Sequence, residues 1–187
     1  MTKTAWRTEL RQRLHKFAAS SQWQLAQNRI AEHVQNYLKS RSEVWASFYP
    51  LGDEPQLLPL QKTLPHLTWV FPQVEQATGT LRWWQPGPLG FVAGPWGLWE
   101  PQTRGAQCFE VGQISGFLVP GVGFSLSGDR LGRGKGFYDR ELARAEKAIK
   151  VGVAFDCQVV SGLVTESHDQ KVNVLITESG LRLERKV

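Results

Sequence analysis

Cysteine is scarce in this chain: Cys108 and Cys157 are its only two, and no Cys-x-x-Cys spacing occurs. That argues against a disulfide framework or a zinc site and fits a reducing cytosol. His15, His33, His66 and His168 show no metal-ligand spacing either. No apolar run approaches the ~18 residues that a membrane helix needs. The start, MTKTAWRTELRQRL, carries charge where an export signal has an apolar centre. A cytoplasmic protein that does not associate with membranes is therefore expected. Repeats and low-complexity tails are also missing. Acidic residues are the minority, 17 against 22 Lys+Arg, for a net charge of +5. This excess favours anionic partners without separating nucleotide, nucleic acid, folate and membrane surface. A chain of 187 residues can bury roughly 70% of the surface its unfolded form exposes. One domain over residues 1–187 is expected to stand without a covalent staple.

Apolar residues set the elements. Trp6, Leu10, Leu14, Phe17 and Ala18 recur at steps of three or four and predict a helix over residues 5–18; Trp23, Ala26, Ile30, Val34 and Leu38 predict a second, to about Lys39. VWASFYP (44–50) reads as a buried strand, followed by a helical stretch over 54–64 that Pro59 should break or displace. Strands are expected at 68–72 and 80–86. Residues 86–105, rich in glycine and proline, predict an ordered surface loop without regular elements, with Phe91, Trp96, Leu98 and Trp99 needing somewhere to pack. GFLVPGVGF (116–124) suits a strand covered on both faces, 137–148 a helix and 150–156 a strand, with 172–179 closing the sheet. Such alternation defines an α/β layer structure with a mostly parallel sheet, whose ligands sit beyond the carboxyl ends of the strands.

The densest chemistry lies in GDRLGRGKGFYDREL, residues 128–142. Gly128, Gly132, Gly134 and Gly136 leave room for backbone N–H groups to approach an anion, and the following helix adds its positive end. Arg130, Arg133 and Lys135 supply full charges. Hydrogen bonds to ionised groups are worth about 1.5–3 kcal/mol each, so side chains would dominate affinity while the loop sets geometry. Two standard phosphate motifs fail: a P-loop needs glycine at 129 and serine or threonine at 136, where Asp129 and Gly136 stand, and a dinucleotide fingerprint needs glycine where Asp139 stands. On residues alone, the stretch is either an anion loop or a basic turn before a surface helix. Asp139 is either a helix-start acid or, beside phosphates, a magnesium ligand.

The run LVPGVGF…GDRLGRGKGFYDREL closely resembles the signature of the 5-formyltetrahydrofolate cyclo-ligase family. So do RTELR at 7–11, FYPLGDE at 48–54, Glu100-Pro101 and HDQKVNVLITES at 168–179, in the same order. The resemblance implies a Rossmann-like α/β/α sandwich around a mixed sheet. It implies ATP- and magnesium-dependent closure of 5-formyltetrahydrofolate to 5,10-methenyltetrahydrofolate, by a monomer whose partners are small molecules. Position by position, it places ATP on Arg7, Arg11 and the run Arg130, Leu131, Gly132, Arg133, Gly134, Lys135, Gly136, Phe137 and Tyr138. It places folate on Arg11, Tyr49, Glu54 and Arg133 to Phe137, and magnesium on Asp139 and Asp169. Lys135 and Arg133 take the catalytic roles.

The chain departs from the family pattern at several places. Phe137 stands where a second tyrosine is common, and Arg7 replaces a lysine, offering a planar fork instead of a point charge. Ser115 and Ser125 replace frequent acids, and Val164 a frequent proline. Two rival readings remain: a relative that binds nucleotide or folate without turnover, and a single-stranded nucleic-acid module that stacks bases on its tryptophans. Against the second, Arg82 is the only basic residue between 69 and 99, where five of the eight tryptophans lie, so no nucleic-acid partner is expected.

Overall fold

A computed structural model describes residues 1–88 and 90–185, with the side chain of Trp96, and so the expectation that it packs, outside the described residues. The chain opens with α1 (Lys3–Ala18), whose first turn is capped by the Thr2 hydroxyl accepting from the Ala5 N–H at 3.2 Å, and α2 (Trp23–Leu38). There follow β1 (Val44–Ala46), the single turn α3 (Leu60–Thr63), β2 (Thr68–Glu75), β3 (Thr80–Gln85), β4 (Phe91–Ala93), β5 (Trp99–Pro101) and β6 (Gln107–Phe109). The second half holds β7 (Gly116–Val119), β8 (Gly123–Phe124), β9 (Arg130–Leu131), α4 (Phe137–Arg144), β10 (Ile149–Val153), β11 (Val174–Thr177) and β12 (Gly180–Glu184).

Among the described residues, eight strands form one sheet in the order β12, β11, β10, β7, β1, β2, β3, β6. The run from β11 to β2 is parallel, with antiparallel strands at both edges. Alternation along the parallel strands feeds two cores. Trp45, Leu118, Val151, Val153, Val174 and Ile176 face α1 and α2 through Leu14, Ile30, Val34 and Leu38. Ala46, Phe117, Val119 and Leu175 face α4 through Leu142 and Ala145. Residues one apart on a strand point to opposite faces, so a sheet covered on both sides becomes the middle layer of an α/β/α sandwich.

Several expectations need correction. The strand at 44–50 ends at Ala46, because the chain then leaves the sheet, and the helix at 54–64 is reduced to the turn that starts behind Pro59, whose ring and missing N–H suit a helix start. The stretch 86–105 is not free of regular structure: β4 and β5 form a hairpin around a 3-10 turn at Pro95–Gly97, closed by the Gly94 N–H donating to the Leu98 carbonyl at 2.7 Å. Phe91 then packs edge-on against Phe71, 4.8 Å between ring centres. The helix predicted over 137–148 stops at Arg144. β6 was not expected, and β11 does not close the sheet, because Gly180, at φ +103°, turns the chain back as β12 along its edge.

Candidate functional site

Strand order reverses at β1: the chain leaves it for β2 on one side and reaches β7, β10 and β11 on the other. Beyond the carboxyl ends of these strands, where open α/β sheets place ligands, lies a cavity of about 330 Å³. One wall is the stretch after β9: Arg130, Gly132, Arg133, Lys135, Gly136, Phe137, Tyr138 and Asp139. The other comes from the segment after β1 (Phe48, Tyr49, Leu51, Glu54), from Pro72 and Val74 of β2, and from Leu98, Trp99 and Glu100.

The first wall owes its course to backbone freedom. Gly134 and Gly136 have φ of +106° and +68°, and Gly136 in the left-handed region starts α4. α1 braces the loop: the Arg7 Nε donates to the Gly132 carbonyl at 2.9 Å, and its guanidinium lies against Gly134. Two remote parts of the chain therefore meet here. Arg11, one turn further along α1, is exposed. Leu131 points inward and packs with Leu10 and Val122, and so holds the loop through the core.

Arg130 and Arg133 are held by acids, in pairings that the motifs did not reveal. Arg130, only 5% exposed, donates from Nη2 to Asp139 Oδ1 at 2.7 Å and from Nη1 to the Pro120 carbonyl at 3.2 Å. Arg133 donates from Nε and Nη2 to Glu54 Oε1 at 3.1 and 3.0 Å, and also to Asp53. The Leu51 N–H donates to Glu54 Oε2 at 3.0 Å. Burial pushes the Glu54 carboxyl above its usual range even though Arg133 pulls it down. Burial works against the Arg133 charge too, but Glu54 and Asp53 raise it, so the guanidinium is always charged. The Tyr138 ring lies beneath the Arg130 guanidinium at 5.8 Å; its hydroxyl is buried without a partner among the described residues, and burial pushes its pKa upward. Lys135 is exposed on the cavity rim, and Phe137 carries Arg140 over its ring at 5.5 Å.

The facing wall is aromatic. Tyr49 stacks on Trp99 at 5.7 Å and 23°, and meets Phe91 edge-on at 5.0 Å. Trp99 is 48% exposed. Trp45, Trp69 and Trp83, in contrast, are buried and serve the core.

Asp139 and Asp169 are brought to neighbouring positions, since the Gln170 N–H donates to Asp139 Oδ1 at 3.3 Å. Each carboxylate pairs with a cation, Asp139 with Arg130 and Asp169 with Lys3 Nζ at 2.6 Å. Glu166, His168 and Asp169 bring potential ligand atoms within 4.8 Å of one another, without Asp139. Asp53 and Lys3 are the participants that sequence reasoning missed. Asp53 sat in plain view inside the FYPLGDE motif; nothing local pointed to Lys3.

Comparison with known proteins places the whole chain among relatives. The solved structure of 5,10-methenyltetrahydrofolate synthetase from Aquifex aeolicus superposes with a TM-score of 0.80 at 33% identity, covering 100% of this chain and 95% of its own. The chain thus shares the fold of that synthetase over its full length. Among curated proteins, 5-formyltetrahydrofolate cyclo-ligase of Haemophilus influenzae is 29% identical over 87% of this chain and 90% of its own length. That of Mycolicibacterium smegmatis is 32% identical over 75% and 76%. The family model for the 5-formyltetrahydrofolate cyclo-ligase family matches residues 1–178, and the chain belongs to that family. Among the described residues, no helix is long and apolar enough to cross a membrane.

Proposed function

We propose that this enzyme uses ATP to close 5-formyltetrahydrofolate to 5,10-methenyltetrahydrofolate, releasing ADP and phosphate. The observation that carries this reading is the joining of α1 to the glycine loop, Arg7 to Gly132, at the rim of a cavity whose other wall is flat and aromatic. A triphosphate suits the first wall and a conjugated ring the second.

The formyl oxygen of an amide is a poor leaving group. It attacks the γ-phosphorus, and the bond from that phosphorus to the bridging oxygen breaks to release ADP. N10 then adds to the activated carbon, loses its proton, and the phosphorylated oxygen departs as inorganic phosphate. Such transfer demands positioning and charge neutralisation above all. Lys135, on the rim, neutralises charge on the moving phosphoryl group, and the loop amides between Gly132 and Gly136 set its place. Arg133, fixed by Glu54 and Asp53, positions the folate side. Arg7 and Arg11 steady the phosphates from α1. Tyr49 flanks the ring.

The oxygen donors of Asp139 and Asp169 fit a magnesium ion, which takes one or two carboxylates and completes its shell with phosphate oxygens. The tie from Gln170 to Asp139 keeps both near the loop. Bound there, the ion would neutralise phosphate charge. Purified protein with ATP, magnesium and 5-formyltetrahydrofolate should develop methenyl absorbance and release ADP in equal amount. Absence of product at saturation would refute catalysis, and folate binding without ADP release would favour the silent relative.

A further inference from the structure

Two buried carboxylates line the cavity, each 6% exposed, and they are partnered very differently. Both oxygens of Glu54 are engaged, by Arg133 and by the Leu51 N–H. Glu100, on β5, accepts one hydrogen bond, from the Val74 N–H to Oε1 at 3.0 Å, and no cation reaches it among the described residues. On the same wall the cavity is lined by the apolar Pro72, Val74, Leu81, Leu98 and Trp99, with Val74 and Leu81 paired across β2 and β3. A carboxylate kept from water with so little compensation is costly unless a ligand brings donors. The hairpin is shaped to keep it there. A Cβ on Gly94 would lie 2.7 Å from the Glu100 Cγ and Cδ, so a bare backbone is required behind this side chain.

A ligand satisfying both features has a flat ring with adjacent N–H donors at one end. We infer that Glu100 accepts hydrogen bonds from the 2-amino group and neighbouring ring N–H of the substrate's pterin, and so selects the substrate. This contact rests on the function proposed above and leaves Glu54 the separate task of holding Arg133.

The test uses the intact enzyme, with tryptophan fluorescence reading 5-formyltetrahydrofolate binding. Glu100→Gln keeps an acceptor for Val74 but loses the charge. Its Kd for this folate should rise roughly tenfold to a hundredfold, the worth of one charge-assisted hydrogen bond, while its ATP affinity and melting temperature hold. An analogue with methyl in place of the 2-amino group should bind the unmodified enzyme as weakly as Glu100→Gln binds the parent, and should lose little more in the variant. Gly94→Ala, with Glu100 present but displaced, should also lose discrimination between parent and analogue, whereas Glu54→Gln should retain it. Unchanged parent affinity in Glu100→Gln, or an undiminished analogue penalty there, overturns the contact. An unmodified enzyme that fails to bind the parent at all overturns the function reading instead.

Discussion

The wall running from Arg130 to Asp139 comes from one continuous stretch, while the facing wall gathers Tyr49 from one segment and Trp99 and Glu100 from another, with Phe91 packed against Tyr49. The first is shaped by glycine backbone, and its guanidinium groups are already held by carboxylates and carbonyls of the same chain. The second is shaped by ring packing and carries one sparsely partnered acid. The difference teaches where chemistry and stability are coupled. On the basic wall, a side chain at the rim can be lost with little effect on the core. On the aromatic wall, the groups that would touch substrate also pack the hairpin against the sheet through Phe71 and Phe91.

The largest effect expected from breaking this contrast is at Lys135. Removing one charge that acts on the transition state costs about 10²–10³-fold in kcat. Lys135→Ala should therefore lose turnover on that scale while its melting temperature stays near that of the unmodified protein, because the residue is exposed. Single-turnover kinetics with a thermal melt would check both, and a wild-type rate would remove its assigned role. Arg133→Ala comes next, and here the basic wall should stop behaving as a separate unit. It leaves the Glu54 carboxylate buried with only the Leu51 N–H, at a cost of about 1–3 kcal/mol after allowing for the partial exposure of Arg133. Arg133→Ala combined with Glu54→Gln should recover part of that stability in a denaturant titration. A double-variant loss equal to the sum of the losses in Arg133→Ala and Glu54→Gln alone would show that the pair is not coupled.

These two walls were also unequally legible. The loop could be read because its determinants are local: glycine where the backbone needs φ above zero, cations between them, and an acid at the start of a helix. What could not be read was that Arg130 and Arg133 answer to Asp139, Asp53 and Glu54, since a spacing of 79 positions between Arg133 and Glu54 is set by the fold alone. The facing wall hid in residues 86–105, where glycine and proline suggested loop; β4 and β5 pair there because Gly94 and the turn after it permit a hairpin, a tertiary fit that local propensity underrates. The parallel strands were legible from alternation or apolar runs, but the edge strands β6 and β12, with one neighbour each and exposed residues, gave no such pattern.

The aromatic wall gives a smaller prediction. Trp99 is half-exposed and stacks on Tyr49, so Trp99→Ala should weaken folate binding by about 0.5–1.5 kcal/mol, the worth of an aromatic pair beyond its area. ATP affinity should be unaffected. A matching loss of ATP affinity, measured by calorimetry, would show that the two walls do not separate ring from phosphate.

The smallest effect concerns acid, and it sets the anchors of the basic wall against Glu54. Asp129 and Asp169 lie below their ordinary value of 3.8: burial works against each charge, but Lys171 with the Ser125 and Ser127 hydroxyls outweighs it at Asp129, and Lys3 with the Glu166 N–H at Asp169. The folded chain therefore binds fewer protons at these sites than the unfolded chain. Their stabilisation is present above that value and is lost as pH falls through the lower folded values. Glu54 acts in the opposite sense: burial raises it above 4.5, so its contribution is present below that value and is lost as pH rises from there through its higher folded value. Asp129→Asn and Asp169→Asn should each flatten the acid limb of a melting-temperature profile by roughly 1 kcal/mol or less, as partly exposed pairs do. Lys3 ties α1 to the turn that carries Asp169, so Lys3→Met, which spares the proposed magnesium ligand, should flatten the same limb, loosen the seat of Arg7 on the loop and raise the KM for ATP. A flattened acid limb with an unmoved KM would mean that α1 is held against the glycine loop by its buried face, Leu10 on Leu131, and not by this ion pair.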